Sequence, residues 1–243
     1  MRAIGIAALL CAMLAAGCST APGDGDGFAN DPWESTNRDI HSFNKGWDTV
    51  LIRPAARGYQ ELVPGVVKLM ASNALDMLSM PAIFANRLLQ GDIEAAGKTL
   101  GRFGINAVLG GGLLDPATEF GLPYERTDLG VTFGRWGIGE GPYMELPLLG
   151  PSTARDAVGT VAQIILDPFN LISGVPALTE IGYGALGVRI VDIRSDNLEL
   201  IDRVLYESAD SYVTARTGYL QVRRRQVAGG LTAEGVVDVF EQQ

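Results

Sequence analysis

Apolar residues recur at helical spacing from residue 33 onward. The first stripe is strongly aromatic and advances in steps of three, four and seven residues: Trp33, Ile40, Phe43, Trp47 and Val50. Such steps place these side chains on one face of a helix. Residues 31–34, Asp-Pro-Trp-Glu, supply a capping acid, a first-turn proline and a glutamate, so we expect the helix to begin there. Pro54 is predicted to end it.

Further helices are predicted wherever the same spacing returns between helix-breaking residues. They run from near Pro64 to Pro81, from Pro81 to Gln90, from Asp92 to Gly110, from Ser152 or Thr153 to Pro168, from about Pro176 to Glu207, and from Asp210 through Arg225 to Gly229. The aspartates that fit helix-capping positions are Asp31, Asp92, Asp156 and Asp210. Strand-like alternation is scarce, so the predicted fold class is mainly α, in a single helical domain over residues 30–228.

Residues 113–151 interrupt the helical pattern. Glycines and prolines divide the stretch, and its apolar residues are bunched, as in Met-Glu-Leu-Pro-Leu-Leu at 144–149. A loop this long inside a compact domain is usually functional. We therefore expect a long Gly/Pro-rich segment that does more than join helices.

The first 17 residues are typical of a bacterial signal peptide. Arg2 precedes an uncharged run that is too short to span a bilayer. The run ends in Leu-Ala-Ala-Gly-Cys at residues 14–18, which resembles a lipobox and makes Cys18 the expected lipidation site; the alternative is an ordinary secretory signal cleaved after residue 16 or 17. Ser19 favours sorting to the outer membrane. Residues 18–29 are predicted to be a flexible tether and residues 229–243 a C-terminal tail.

Composition narrows the function classes. The formal charge of −9 argues against nucleic acid and against electrostatic adhesion to anionic lipid. Yet 47% of the residues are hydrophobic and only 19% charged, so any attraction to a membrane must be hydrophobic. If Cys11 leaves with the signal peptide and Cys18 carries lipid, no thiol remains for a disulfide, a metal or catalysis.

Residue patterns for catalysis or cofactor binding are scarce. The single histidine, His41, cannot build a metal site and is predicted to be structural or on the surface. A lipase-type G-x-S-x-G elbow does not occur in the sequence. The glycines of residues 137–141 are followed by proline rather than a helix, which favours turns over nucleotide binding. Arg223–Arg225 are predicted to form a solvated helix terminus, with anionic headgroup binding as the alternative. We predict no enzyme activity, cofactor or metal.

A series of motifs resembles, in order, those of the MlaA family, also called VacJ lipoproteins. The N-terminal signature is Asn-Asp-Pro-Trp-Glu at 30–34 with Asn37-Arg38, and the most specific block is Gly-Arg-Trp-Gly-Ile-Gly-Glu-Gly-Pro-Tyr at 134–143. The remaining matches are Arg53-Pro54, Asn73, Pro81, Asn86, Leu89-Gln90-Gly91, Arg102-Phe103, Asn106, Gly110, Gly112, Asp115, Ala117, residues 146–152, Arg155-Asp156, Asp210, Tyr212, Arg216 and Tyr219. The resemblance covers about residues 30–225.

The resemblance implies a function that composition cannot provide. Family members are helical, ring-shaped lipoproteins in the inner leaflet of the outer membrane, often beside trimeric porins. They remove mislocalised glycerophospholipids from the outer leaflet and pass them to a soluble periplasmic carrier, MlaC, which maintains lipid asymmetry. We therefore expect this chain to be lipid-anchored on the periplasmic side of the outer membrane. The alternative is a structural lipoprotein that supports porins or envelope integrity without moving lipid; a phospholipase is disfavoured by the missing catalytic pattern.

Two sets of site residues follow from this expectation. The aromatic stripe of Trp33, Phe43 and Trp47 suits a face in the membrane interface, although an ordinary core helix explains the pattern equally well. We expect the Gly-rich segment, here taken as about Gly110 to Gly150, to shape or gate the lipid channel, with a rigid scaffold loop as the alternative. Its candidate residues are Gly110, Leu113, Leu114, Gly137, Gly139, Gly141, Leu146 and Leu148.

Overall fold

The computed structural model describes residues 30–166 and 176–229, with the side chains of 176–183 left out of the description. The signal peptide, Cys18, the tether, Pro168 and nearly all of the C-terminal tail lie outside these residues. The elements in chain order are α1 (Glu34–Trp47), π1 (Asp48–Ile52), α2 (Arg53–Leu62), α3 (Gly65–Leu89), α4 (Ile93–Val108), α5 (Pro116–Glu119), α6 (Leu129–Arg135), β1 (Tyr143–Leu146), β2 (Gly150–Thr153), α7 (Ala154–Leu166), α8 (Pro176–Asp196), α9 (Leu198–Asp202), π2 (Arg203–Glu207) and α10 (Ser211–Val227). The mainly α fold class is confirmed.

The chain divides into two compact units. Among the described residues, the first consists of residues 30–47, Leu129–Ala162 and residues 202–229. The second consists of Asp48–Asp128 and the described residues between Gln163 and Ile201. Each unit therefore combines segments that are far apart in sequence.

The first unit is built around a short β-hairpin. β1 and β2 pair antiparallel, with Tyr143 opposite Thr153 and Leu146 opposite Gly150. α1 packs against β1, and α10 packs against β2, α6 and π2. A small apolar core of Tyr143, Tyr212 and Leu220 lies between them.

A close backbone approach joins α6 to α7 in this unit. A Cβ atom on Gly159 would lie 2.5 Å from the backbone nitrogen of Gly130. Only glycine allows the two helices to approach so closely, because any side chain at this point would overlap a rigid backbone.

The second unit is a packed set of helices. α3 packs along α4, and α8 packs against α2, α3 and π1. Local signals define the turn between α3 and α4: Gly91 adopts φ +74°, and the Asp92 carboxylate accepts a hydrogen bond from the backbone of Ala95 at 3.0 Å. The predicted cap at Asp92 is confirmed.

The predictions made from two prolines are wrong. Pro54 lies in the first turn of α2, where its missing N–H is harmless, so the helical path continues from α1 through π1 instead of ending. Pro81 lies inside α3, which is one helix from Gly65 to Leu89. The packing of α3 against α4 and α8 outweighs the local cost of the missing hydrogen bond.

The Gly/Pro-rich segment contains more regular secondary structure than the predicted long loop. It contains α5, α6 and the hairpin. These elements are short, and β1 buries Glu145 beside Tyr143, so the usual alternation of apolar and polar residues is absent. The single long helix predicted from about Pro176 to Glu207 is wrong: it is interrupted at Asn197, between α8 and α9, and changes at Arg203 into π2. π2 ends with a backbone hydrogen bond from Ser208 to Arg203 at 3.0 Å.

Candidate functional site

The interior of the second unit is rich in polar and charged side chains. Its buried polar residues are Asp48, Asn86, Arg87, Arg102, Asn106, Thr127, Asp192, Arg194 and Ser195. Its buried hydrophobic residues are Ala56, Met80, Ile83, Ala96 and Ala117. Charges tolerate burial only when they are paired and hydrogen-bonded, so each of these charged groups needs a partner inside the unit.

A two-bond ion pair joins π1 to α8. Nε and Nη2 of Arg194 donate to the two carboxylate oxygens of Asp48 at 2.9 and 3.1 Å. Both residues are buried. This parallel geometry is the strongest form of the arginine–carboxylate contact and fixes Asp48 at the start of π1.

A second cluster surrounds Asp115, just after the turn at Gly110. Its carboxylate accepts hydrogen bonds from Arg102 at 2.6 Å, from Asn106 at 2.9 Å and from Thr118 at 2.7 Å. Burial alone would raise the pKa of Asp115, but these donors outweigh it and the pKa lies below its usual value. The turn is equally tight, because a Cβ on Gly110 would lie 2.5 Å from the carbonyl oxygen of Leu114.

A third polar contact joins α3 to α8. Nη2 of Arg189 donates to Asp76 at 2.6 Å, and each side chain is about four-fifths buried. Burial raises the pKa of Asp76 above its usual value, although Arg189 opposes the shift. The pKa of Tyr124 is also raised, mainly by burial and to a smaller extent by the charge of Asp76. Ionisable groups in this unit therefore lie in a partly desolvated interior.

The outer surface of the second unit carries many large hydrophobic side chains. The most exposed hydrophobic side chains are between 68% and 83% accessible: Leu62, Val108, Val50, Val66 and Ile93. Others are about half accessible, including Leu69, Leu88, Leu100 and Leu114. Monomeric proteins in water seldom expose so many large apolar side chains, and such surfaces mark contact with a membrane or another protein.

In the first unit, a buried network ties α1 to α10. Asp31 accepts hydrogen bonds from Asn37 at 2.8 Å, from Arg216 at 2.7 Å and from the hydroxyl of Tyr212. Asp31 therefore joins two distant segments, and α1 begins only at Glu34, so its predicted capping role is wrong. Burial and the hydrogen bond to Asp31 raise the pKa of Tyr212.

His41 extends this network. Its Nδ1 lies 3.3 Å from Glu145 and its Nε2 lies 3.1 Å from the hydroxyl of Ser211. The hydroxyl of Tyr143 donates to the other oxygen of Glu145 at 2.5 Å, and burial raises the pKa of Tyr143. His41 is buried, which confirms the predicted structural role.

The three arginines at the end of α10, Arg223–Arg225, differ in their partners and exposure. Arg223 donates to Asp156 at 3.0 Å, as does Arg155, and Tyr219 adds a hydrogen bond at 2.7 Å. Burial opposes ionisation of Asp156, but these partners lower its pKa to about 2. The prediction that Asp156 caps a helix is therefore wrong, and so is the prediction that Arg223 is solvated. Arg224 pairs with Glu140 at 2.7 Å, while Arg225 is exposed.

The structure places the sequence-predicted site residues in both units. Gly110, Leu113 and Leu114 belong to the second unit, where both leucines are exposed. The other segment residues belong to the first: Gly137, Gly139, Gly141, Leu146 and Leu148. Gly137 and Gly141 have positive φ, as turn glycines do.

Leu148 is strained at the tip of the hairpin. It adopts φ +66° and is more than half exposed. Its backbone N–H donates to the side-chain oxygen of Asn44 at 2.7 Å, and Asn44 also donates to the carbonyl of Leu146 at 3.0 Å. The tip is thereby held to α1 in a conformation that is unusual for leucine.

The aromatic stripe of α1 is exposed. Trp33, Phe43 and Trp47 are each between 43% and 54% accessible. They are not core residues of the first unit, so the ordinary core interpretation fails. Contact with membrane remains a proposal.

Sequence reasoning missed the buried ion pairs of the second unit. Asp48, Asp76 and Arg189 were not identified as site residues. The available signal is a charged residue within an apolar helical run, as Asp76 stands among Met70, Ala74, Met77 and Met80. Such a residue must find a partner on another element.

Across the described ranges, none of the helices is both long and apolar enough to cross a membrane. The same residues contain no group of three or more His, Cys, Asp or Glu side chains placed to hold a metal ion.

Comparison with known proteins gives consistent similarities. A family model described as MlaA lipoprotein matches residues 29–226. The intermembrane phospholipid transport system lipoprotein MlaA of Escherichia coli K12 is 32% identical over 222 residues, which cover 89% of this chain and 85% of that protein. An uncharacterised protein of Rickettsia felis is 33% identical over 199 residues, 81% of this chain and 78% of its own length. A solved structure concerned with the structural basis for maintenance of bacterial outer membrane lipid asymmetry is 28% identical, with a TM-score of 0.71 over 82% of this chain and 99% of that chain.

Proposed function

This chain belongs to the MlaA lipoprotein family, and on that premise we propose that it removes mislocalised glycerophospholipids from the outer leaflet of the outer membrane. It passes them to a soluble periplasmic carrier of the MlaC type and so maintains lipid asymmetry. Lipid on Cys18 anchors it on the periplasmic side. The similar Escherichia coli protein is named for intermembrane phospholipid transport, which supports this assignment.

The observation that carries the proposal is the distribution of side chains in the second unit, which has charged pairs in its interior and large apolar side chains on its surface. Charged pairs such as Asp48–Arg194 and Asp76–Arg189 face inward, while large apolar side chains such as Leu62 and Val66 face outward. In water the exposed apolar surface is unfavourable, whereas in the leaflet it is the favourable contact. A polar interior lowers the cost of moving a charged headgroup past hydrocarbon.

The first unit contributes an interfacial face. Trp33, just before α1, and Phe43 and Trp47 on α1 are exposed, and tryptophan favours the boundary between headgroups and acyl chains. These side chains hold the first unit at the membrane surface. Hydrophobic contact suits a chain of formal charge −9, which anionic lipid would otherwise repel.

The part of the Gly-rich segment that contains the β1–β2 hairpin acts as a gate for lipid transport. Its support is the exposed, strained Leu148 together with glycines that bound the hairpin, of which Gly137 and Gly141 have positive φ. Strained backbone is retained where the surrounding structure enforces it, often at switch regions. Gly139 is the residue best suited to a test, because its Cβ direction is open and its backbone is not left-handed.

The partners follow from family membership. A trimeric porin neighbours the protein in the outer membrane, and the C-terminal helices receive the MlaC-type carrier on the periplasmic side. The sequence offers no pattern for nucleotide binding, so the direction of transport comes from elsewhere in the system.

The test measures phospholipid exposed on the cell surface. Wild type is compared with a deletion strain and with deletion strains complemented by the wild-type gene or by Cys18→Ala. Surface phospholipid is expected to rise on deletion and to be restored only by the anchored protein. Unchanged surface phospholipid would refute transport, and a parallel fall in porin level would favour the structural alternative.

A further inference from the structure

A cavity of about 250 Å³ lies within the second unit, between α3, α4 and the segment from Gly121 to Glu125. Met80, Ile83 and Leu122 give it apolar wall. Ordinary small-molecule sites occupy about 300–1,000 Å³, so this cavity is sized for a compact polar group and not for a pair of acyl chains.

The charged side chains that line this cavity are mainly cationic: Arg87, Lys98, Arg102 and Glu125. Arg87 and Arg102 are more than nine-tenths buried, and in the described structure the Nε–H of each has no hydrogen-bond acceptor. Unpaired buried donors are costly and uncommon, and they indicate a place for an acceptor group. Lys98 is exposed and pairs with Glu94 at 2.7 Å, which places it at the rim.

Glu125 supplies the carboxylate that pairs with Arg87 in this cavity. Its carboxylate accepts a hydrogen bond from Nη2 of Arg87 at 3.0 Å, yet half of its side chain is exposed. A carboxylate so weakly enclosed can move aside for a stronger anionic ligand. A phosphodiester matches the arginine fork in the same way as a carboxylate.

The rest of the ligand is indicated by the two sides of α4. Ala95, Lys98, Thr99 and Arg102 line the cavity. Ile93, Leu100 and Phe103 lie on another face of α4 and are exposed. The helix that contributes Lys98 and Arg102 to the cavity therefore also carries exposed apolar side chains, the kind of surface that acyl chains contact.

We propose that this cavity binds the phosphodiester headgroup of a glycerophospholipid, with Arg87 and Lys98 as anion-binding residues and Glu125 as the group that the headgroup displaces. The inference rests on the proposed function and adds a lipid-binding site to it. A free phosphate shares the same chemistry, so the test must separate the two sources.

Binding is measured by calorimetry on the purified lipoprotein in detergent at low ionic strength. The probes are dihexanoyl phosphatidylethanolamine, glycerophosphoethanolamine and inorganic phosphate. Lys98→Gln is expected to weaken binding of the short-chain lipid by about three- to tenfold, since one exposed charge contact is lost, and Glu125→Gln to strengthen it by a similar factor. Both side chains are at least half exposed, and urea unfolding of each variant checks that the fold is kept, because Glu125 pairs with the buried Arg87. Glu119→Gln changes an exposed acid that does not line the cavity and should leave affinity unchanged.

Opposite shifts for Lys98→Gln and Glu125→Gln, with no shift for the control, would support the site. Equal affinity for the lipid with all variants would overturn it, and so would inorganic phosphate binding as tightly as the lipid. The surface-phospholipid measurement is independent: normal surface phospholipid in the deletion strain refutes transport even where the cavity binds lipid. Unaltered lipid binding in every variant, with transport intact, refutes the cavity alone.

Discussion

Leu62→Gln separates stability in water from affinity for a membrane. Leu62 is the last residue of α2 and is 83% exposed, so it contributes little to packing. Replacing it should change the free energy of unfolding in water by less than about 0.5 kcal/mol. The same change should weaken binding to a bilayer, because in the proposed function this side chain lies in the acyl region.

The size of the membrane effect follows from the exposed area. Burying a whole leucine side chain contributes about 1.5–3 kcal/mol. Since most of the Leu62 side chain is free to enter the leaflet, its loss should cost about 2 kcal/mol. Inserting the glutamine amide adds a further penalty for an unpaired polar group. We therefore expect vesicle binding to weaken by roughly thirtyfold or more.

The assay is flotation with phospholipid vesicles, using the unlipidated Cys18→Ala chain so that an acyl anchor does not hide the change. Glu61→Gln, next to Leu62 and also exposed, serves as the matched control and should bind as the parent does. Urea unfolding reports stability for all three proteins. Unchanged flotation of a folded Leu62→Gln protein would refute membrane contact at α2, and a large loss of stability in water would refute the assignment of Leu62 as an unpacked surface residue.

Gly139→Val should keep its stability and raise surface phospholipid if the segment gates transport; normal surface phospholipid in a folded variant would contradict gating. Asp156 has a folded pKa of about 2, below its unfolded value near 3.9, so it contributes about 2 kcal/mol that is present above pH ~4 and lost as pH falls toward 2. The stability difference between wild type and Asp156→Asn should therefore narrow by that amount in urea unfolding between pH 6 and pH 2; a constant difference would argue against the lowered pKa. Gly159→Ala should destabilise by about 1–3 kcal/mol through its overlap with Gly130, whereas Gly104→Ala, in open space on α4, should stabilise by up to about 1 kcal/mol. Equal thermal shifts for the two glycine variants would contradict the close approach.

Features set by local chemistry could be predicted from the sequence. Asp92 and Asp210 cap α4 and α10 as expected, because a capping carboxylate needs only backbone N–H groups two or three residues away. Gly91 and Gly229 adopt positive φ at helix ends for an equally local reason. The short elements of the Gly-rich segment escaped prediction because their stability comes from tertiary contacts, as where α6 meets α7.

The partners of buried charges could not be predicted. Arg194 lies 146 residues from Asp48, and Arg216 lies 185 residues from Asp31. Periodicity has no information at such separations. Periodicity also identifies an apolar face without showing whether that face packs in a core. The exposure of Phe43 and Trp47 shows that this face of α1 lies outside the core of the first unit.

A contribution to folding stability does not by itself explain why the second unit contains buried ion pairs. A buried pair can often be replaced by apolar residues of similar volume with no loss of stability, because desolvation offsets the attraction. The pKa of Asp76 is raised in keeping with such a cost, because burial outweighs the favourable contact with Arg189. The unit nevertheless keeps several charged pairs inside and large apolar side chains outside. The proposed movement of a charged headgroup through a leaflet would require a polar interior within an apolar surrounding, and that proposal accounts for both halves of the arrangement.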